Sequence, residues 1–342
     1  MSDKRIAVLG AGANGAAFGA DMVNAGCDVT FIDQWPAHVE AMRTDGLRVE
    51  MPDGAVVTRV DAYHLCDVAT MTAPFDIVFL LVKAYDTRWA CELIKPYLAE
   101  DGLLVGIQNA MMQDDIAEIV GPARTLGCVV ELSSEIFTPG EVQRNTPPSG
   151  TWFGIGALGK EAAGREQEIA DILQHAGKVS ITDQIVAAKW MKLVVNTMCL
   201  GPFAMMGLTL YEAMKIPGMR EFALQAGTEA LTAGQSIGHS IQPIFGLNEE
   251  DVRDTNRLLE KLLDKLAADI GPAARDCVLQ DHLKGRYSEV DLINGLVVEE
   301  LAERGGKAPV NAAIAEITRR IQTGELEPDP SNLELAQDLA RA

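Results

Sequence analysis

The sequence predicts an α/β chain in which a doubly wound parallel sheet is followed by an all-α C-terminal domain. Three observations predict it. Short β-branched runs alternate with helix-like stretches up to about residue 110, a glycine-rich turn joins the first strand to the first helix, and no strand-like run remains after about Asp183. The 342 residues exceed what one core holds and suit two domains, which we place at 1–182 and 183–342.

Arg5–Leu9, Asp28–Ile32, Asp76–Val82 and Leu103–Ile107 are nearly continuous apolar runs, as strands buried on both faces of a parallel sheet require. Ala16–Ala25 and Thr87–Leu98 read as the helices between them. From Arg124 to Leu158 the texture is β-rich, so Thr125–Leu132 and Thr151–Ile155 are read as strands that finish the first domain. Beyond Asp183 the periodicity is helical, over Ile185–Leu200, Gly218–Ser236, Glu249–Ile270, Glu289–Arg304 and Ala308–Thr323. The helices Gly218–Ser236 and Glu289–Arg304 are apolar enough for the domain core or for a homodimer interface. The tail after Pro328 reads as loosely attached.

Hydrophobic residues at 48% and charged ones at 23% are the proportions of a soluble globular protein rather than a disordered one. No run approaches the ~20 apolar residues of a membrane span. The N-terminus enters a strand without an apolar signal segment, so the chain reads as cytoplasmic. A net charge of −20 repels nucleic acid and anionic membranes, and it makes an anionic substrate depend on individual lysines. Six cysteines without a C-x-x-C pair argue for reduced thiols, and five dispersed histidines argue against a metal site.

Gly10-Ala11-Gly12-Ala13-Asn14-Gly15 follows the first strand directly and opens the first helix. Gly10 permits the tight turn, Gly12 lets the backbone approach a pyrophosphate, and Gly15 lets helix and strand pack closely. The pyrophosphate then meets the unpaired N–H groups of the helix N-terminus, which Ala13 and Asn14 begin. This is the fingerprint of a Rossmann-type dinucleotide site. Asp33 ends the second strand, 18 residues past Gly15, where a carboxylate accepts from the adenosine ribose 2′-hydroxyl and repels a 2′-phosphate. It favours NAD as cofactor over NADP. NADP would need Asp33 to turn away, with nearby Arg43 compensating.

Five stretches make the chain resemble the ketopantoate reductase (2-dehydropantoate 2-reductase) family along nearly its whole length. They are Gly10–Gly15, Leu81-Val-Lys83-Ala-Tyr-Asp-Thr87, Gln108-Asn109-Ala110, Trp190-Met-Lys192-Leu-Val-Val-Asn196, and Gly285–Gly295 with Gly306–Asn311. The resemblance implies a hydride transfer between a 2-keto acid and a 2-hydroxy acid, with Lys192 as general acid or base and Glu289 as its acidic partner. Asn196 shares a helix face with Lys192 at i, i+4, and with Asn109 it would donate to the substrate carboxylate or carbonyl. Lys83 ends its strand at the edge where such sheets bind ligands, facing cofactor or substrate. Seen alone, a lysine or glutamate on a helix is a solvated charge. Lys189 is read so, and His282 as a surface or structural histidine.

The chain departs from the family pattern where the substrate's polar groups are recognised. Leu200 stands where the family has a second asparagine, Cys277 where it carries serine, Ala110 where it has glycine with Met111 and Met112 following, and Leu210 at or near a further asparagine. A site built around a hydroxyl discriminates strongly for it, so these exchanges predict a more apolar side-chain pocket. The reading is an NAD-linked 2-keto acid reductase or 2-hydroxyacid dehydrogenase. Its alternatives are an NADPH-dependent 2-dehydropantoate 2-reductase of pantothenate biosynthesis and a non-catalytic dinucleotide-binding sensor.

Overall fold

Apolar β-branched runs become the strands of two sheets in a computed structural model, which describes residues 4–253 and 257–342. In chain order the strands are β1 (Arg5–Leu9), β2 (Asp28–Asp33), β3 (Leu47–Met51), β4 (Gly54–Thr58), β5 (Asp61–His64), β6 (Phe75–Leu80), β7 (Leu98–Gly106), β8 (Thr125–Glu131), β9 (Ser134–Thr138), β10 (Glu141–Arg144), β11 (Trp152–Ala157) and β12 (Lys178–Ile181). The larger sheet runs β12-β11-β8-β7-β6-β1-β2-β5, and every neighbouring pair is parallel except β8 with β11. The chain leaves β1 for β2 on one side and returns to β6 on the other. The carboxyl ends of β1 and β6 are therefore the switch point at which open α/β sheets bind ligands.

The chain divides into two compact units. One takes Met1–Gln108 and Met112–Ile185, the other Asn109–Met111 and Val186–Ala342. In the first unit the helices are α1 (Ala13–Asn24), α2 (Pro36–Asp45), α3 (Thr87–Ile94), α4 (Gln113–Val120) and α5 (Glu166–Leu173). Phe18 of α1 meets Phe79 and Phe153 edge-on at centroid separations of 5.7 and 5.9 Å, the centre of that unit's core. α3 ends at Ile94 rather than Leu98 because Pro96 has no N–H with which to continue the helix.

Of the strands around residues 124–158, β8 and β11 join the large sheet, but β9 and β10 pair with β3 and β4 in a separate four-stranded sheet ordered β4-β3-β10-β9. That sheet packs on α1. The fully buried Arg144 of β10 fastens it there, pairing with Asp21 of α1 and donating to Thr146 O (2.8 Å), Thr151 Oγ1 (3.0 Å) and Ala176 O (3.2 Å).

The second unit is helical throughout: α6 (Ile185–Cys199, from Val186 onward), α7 (Gly201–Ala204), α8 (Leu210–Ala213), α9 (Met219–Ser236), α10 (Glu249–Arg253), α11 (Leu258–Asp269), α12 (Cys277–Leu283), α13 (Leu296–Glu303), α14 (Pro309–Gln322) and α15 (Asn332–Arg341). Of the helix expected over Glu249–Ile270, residues 254–256 lie outside the described residues. The helix expected from Glu289 begins instead with a π-helical turn, Asp291–Gly295. The tail is not loose. Leu333 and Ala336, three residues apart, are buried, and Asn332 Nδ2 donates to Met205 O (2.8 Å) and Glu327 O (2.9 Å). No helix among the described residues is long and apolar enough to cross a membrane.

Helix α6 is enclosed almost all round. Past its first turn, Lys192 alone is not buried. Lys189, read as a solvated charge, is 5% exposed, because the helix has no solvent face on which to place it. Two glycines of α9, one mid-helix and one in its last turn, permit this enclosure. A Cβ on Gly227 would stand 2.5 Å from Met198 Sδ, and one on Gly234 would overlap the indole of Trp190. That indole donates to Ala230 O at 2.9 Å.

Candidate functional site

In the first unit the fingerprint turn is stitched to its neighbours. Gly10 N donates to Ile32 O (2.9 Å), and Leu81 N donates to Leu9 O (2.8 Å). Gly10 has φ +97°, and a Cβ there would lie 2.5 Å from Val82 N, so both conformation and space demand glycine. Gly15 could not carry a side chain either, since its Cβ would overlap Gly10 O and approach Val8 Cγ1 at 3.1 Å. Gly12 differs. A Cβ there meets nothing within 4 Å, so its bareness serves no contact inside the unit and leaves open space at the N-terminus of α1. Gly12 is the N-cap and has no side chain to accept from the first N–H groups of Ala13 and beyond, which fits a pyrophosphate. Asn14 Oδ1 accepts from Ser134 Oγ at 2.5 Å.

Asp33 is 8% exposed at the end of β2, with Oδ1 accepting from Trp35 N at 2.8 Å. Arg43 does not compensate it. Its Nε donates to Ala62 O (2.6 Å), and its other nitrogens bind Glu40 Oε1 (2.9 Å) and Asp67 Oδ2 (2.5 Å). Arg43 holds the Asp67 carboxyl below its usual range, so both acids stay ionised and the cation stays engaged. Lys83 follows β6 and precedes a short 3₁₀ turn at Ala84–Asp86. Gln108 is buried and donates to Thr87 Oγ1 at 2.9 Å, a tie within this unit.

The second unit gathers Asn109, Lys192, Asn196, Leu200 and Cys277. Lys192 and Asn196 stand one turn apart on α6. Asn196 Nδ2 donates to Asn109 Oδ1 at 3.1 Å, and Asn109 Nδ2 points to Cys277 Sγ at 3.7 Å. Leu200 and Cys277 both pack against the buried trio Ala204, Val278 and Leu279. The Asp276 side chain caps α12 by accepting from Val278 N (2.8 Å) and Leu279 N (3.0 Å), which fixes Cys277 at the helix start. Burial pushes the Cys199 thiol up to about 12, against the pull of the Lys192 ammonium, so it stays a neutral thiol beside that charge. Ala110, next to Asn109, adopts φ +62°, the left-handed region that glycine fills without strain.

Phe245 is a residue that sequence reasoning missed. Its ring centroid lies 4.9 Å from Lys192 Nζ, and its backbone has φ +59°, an outlier for so bulky a residue. A lone aromatic in a loop carries no signal of this. Glu289 is 4% exposed, and its carbonyl accepts from Leu292 N at 3.0 Å on entry to the π-helical turn. Leu210 is buried at the start of α8. His282 sits in α12 with its Nε2 buried and unpartnered among the described residues, and burial pushes its pKa down to about 4.

Much of the last motif is structural. Asn294 Nδ2 donates to Asn311 Oδ1 (2.9 Å), and Asn311 Nδ2 donates to Glu229 Oε2 (2.7 Å) and Ala226 O (3.0 Å). Glu229 in turn accepts from Val310 N (3.0 Å) and Asn311 N (2.9 Å), closing the N-terminus of α14. Asn294 and Asn311 thus tie the π-helical turn, α9 and α14 together.

A family model described as ketopantoate reductase PanE/ApbA matches residues 6–157, and the model for the C-terminal part of the same family matches residues 184–322. The chain is similar to 2-dehydropantoate 2-reductases of Nostoc sp. (28% identical over 256 residues, 72% of this chain and 77% of that one) and Archaeoglobus fulgidus (25% over 332 residues, 95% and 100%). In fold it is similar to D-mandelate dehydrogenase solved with NADH and anilino(oxo)acetate, with a TM-score of 0.82 at 20% identity, covering 94% of this chain and 99% of that one.

Proposed function

The chain belongs to the ketopantoate reductase family of oxidoreductases that use a nicotinamide dinucleotide, and from that premise we propose that it is an NAD-linked enzyme reducing a 2-keto acid with an apolar side chain, or oxidising the matching 2-hydroxy acid. The observation that carries the chemistry is the chain of side chains Asn196–Asn109–Cys277 with Lys192 one turn along the same helix. It sets an ammonium, two amides and an apolar edge in one place. D-mandelate dehydrogenase, a structural neighbour, is solved with NADH and an aryl-bearing oxoacetate amide, which supports an apolar substrate and NAD.

Gly10, Gly12, Ala13, Asn14 and Gly15 would hold the pyrophosphate, Asp33 the adenosine ribose, and Lys83 would stand at the same sheet edge. A reduced nicotinamide, when bound, supplies the hydride. Lys192 as an ammonium donates a proton to the carbonyl oxygen as the alcohol forms, and in the reverse direction the amine takes it back. Glu289 supports that charge, Asn109 and Asn196 orient the carboxylate, and Leu200 with Cys277 receives the side chain. Asp33 and the engaged Arg43 favour NAD, since a 2′-phosphate would meet carboxylates and no available guanidinium. In this reading the first unit binds the dinucleotide, and the second unit carries the catalytic and substrate residues.

Steady-state oxidation of NADH and NADPH, run in parallel with ketopantoate and with apolar and aromatic 2-keto acids, tests it. NADH-linked turnover of an apolar keto acid with ketopantoate poor supports the reading. Strong NADPH-linked turnover of ketopantoate means instead that this chain is a 2-dehydropantoate 2-reductase, as its Nostoc and Archaeoglobus relatives are named. Dinucleotide binding without turnover of any keto acid would point to the non-catalytic sensor.

A further inference from the structure

His38 of α2 is fully buried, and both of its ring nitrogens are spoken for. Nδ1 lies 2.9 Å from Gly140 N, a backbone amide that can only donate, so Nδ1 is the acceptor and bears no proton. Nε2 lies 2.8 Å from Ala11 O, a carbonyl that can only accept, so Nε2 carries the proton. The two bonds fix the neutral Nε2–H tautomer. Burial depresses the imidazole's basicity further, against the nearby Asp33 carboxylate, and the Trp35 ring lies along it at 5.6 Å between centroids.

Ala11 is the second residue of the glycine fingerprint, and its carbonyl shares a peptide plane with Gly12 N–H. In a trans peptide those two groups point in opposite directions. Holding Ala11 O toward the imidazole therefore aims Gly12 N–H away from it. At Gly12 itself there is open space, since a Cβ there would meet nothing within 4 Å. Glycine is also the residue least able to resist rotation of its own peptide plane. Asn14 ties the far end of the turn to Ser134, and His38 is the side chain that meets the Ala11–Gly12 peptide.

We propose that neutral His38 is the positioning residue of the dinucleotide loop, locking the Ala11–Gly12 peptide so that Gly12 N–H faces the pyrophosphate. The same ring ties the turn to Gly140, between β9 and β10, so the small sheet braces the loop through one imidazole. This inference rests on the reading that the loop takes a pyrophosphate. It does not rest on Lys192 or on the identity of the keto acid.

Binding of NADH to the full chain, followed by fluorescence, tests it with two variants. His38→Gln keeps an N–H donor within reach of Ala11 O. His38→Phe keeps a ring of similar size and removes both hydrogen bonds. We expect the phenylalanine variant to bind NADH at least about tenfold more weakly and the glutamine variant to stay within about threefold of the wild type. The KM for the keto acid should not move in either. A folded His38→Phe protein that binds NADH as tightly as the wild type would overturn the proposal. If that variant does not fold, ¹⁵N spectra of the histidine-labelled wild type decide. A protonated Nε2 with unprotonated Nδ1, and a Gly12 amide signal displaced on adding NADH, uphold the strut. The opposite tautomer, or an indifferent Gly12, removes it. A wild type that binds neither NADH nor NADPH refutes the dinucleotide reading itself, while the tautomer still reports whether the strut exists.

Discussion

At the scale of the residue, backbone strain falls beside the side chains of the proposed site. Ala110 and Phe245 are the non-glycine residues of positive φ among those described; one adjoins Asn109, and the other covers Lys192. Strain of this kind persists only where surroundings impose it, and it clusters at working sites. Ala110→Gly should stabilise the protein by about 0.5–1 kcal/mol, the left-handed penalty outweighing the extra entropy of unfolded glycine. Urea denaturation reads this directly, and an unchanged or lowered midpoint would show that the alanine is unstrained. Lys192→Ala should lower kcat/KM at least about a hundredfold while the affinity for dinucleotide holds, because it removes the proposed proton donor from one unit and leaves the other intact. A loss confined to dinucleotide binding would place Lys192 elsewhere in the mechanism. Spacing and resemblance singled out Asp33, Lys192 and Asn196 for the proposed site. They did not single out Phe245 and His38, because each acts through a fold contact with a partner that sequence separation conceals.

At the scale of the element, the packing of α6 on α9 decides how Lys192 is presented. Gly234→Ala replaces a poor helix former with the best one, a gain of about 1 kcal/mol, yet the new methyl overlaps the Trp190 indole, which is itself held by Ala230 O. Overpacking a rigid ring costs about 1–3 kcal/mol, so the net change should be destabilising. A variant with a raised melting temperature would show that Trp190 has somewhere to go. Arg144→Met should cost more, about 3–5 kcal/mol, because Asp21 keeps a largely buried charge without its partner. Thermal unfolding at neutral pH would measure it, and a loss under 1 kcal/mol would mean that water reaches Asp21. The apolar strands β1, β2, β6 and β7 were legible because a parallel core leaves long apolar runs. Strand β3, Leu47-Arg-Val-Glu-Met51, was less so, its half-buried alternation lying between polar turns. The π-helical turn was hidden because its apolar spacing is nearly that of an ordinary helix. Helix α15 was hidden because few apolar residues anchor it.

At the scale of the molecule, buried histidines set the acid limit. Burial lowers the basicity of His38, His239 and His282, the last to about 4. An unfolded histidine titrates near 6.5, so between there and pH 4 the unfolded chain takes up a proton that folded His282 refuses. The stability this group leaves untouched above pH 6.5 is thus lost as the pH falls, by about 3 kcal/mol at pH 4. Asp21 and Glu229, raised by burial, act in the opposite sense, their folded forms taking protons more readily. Comparing wild type with His282→Gln across pH 7 to 4 isolates the histidine. Parallel stability curves for the two would mean that His282 is hydrated and titrates normally.

Asn109–Met111 belong with the second unit although the residues on both sides of them belong to the first. Recombination at residue 186, joining this second half to the first half of a distant relative, would therefore import a stranger's tripeptide opposite Asn196. A working chimera needs a graft at two places, 109–111 and 186–342.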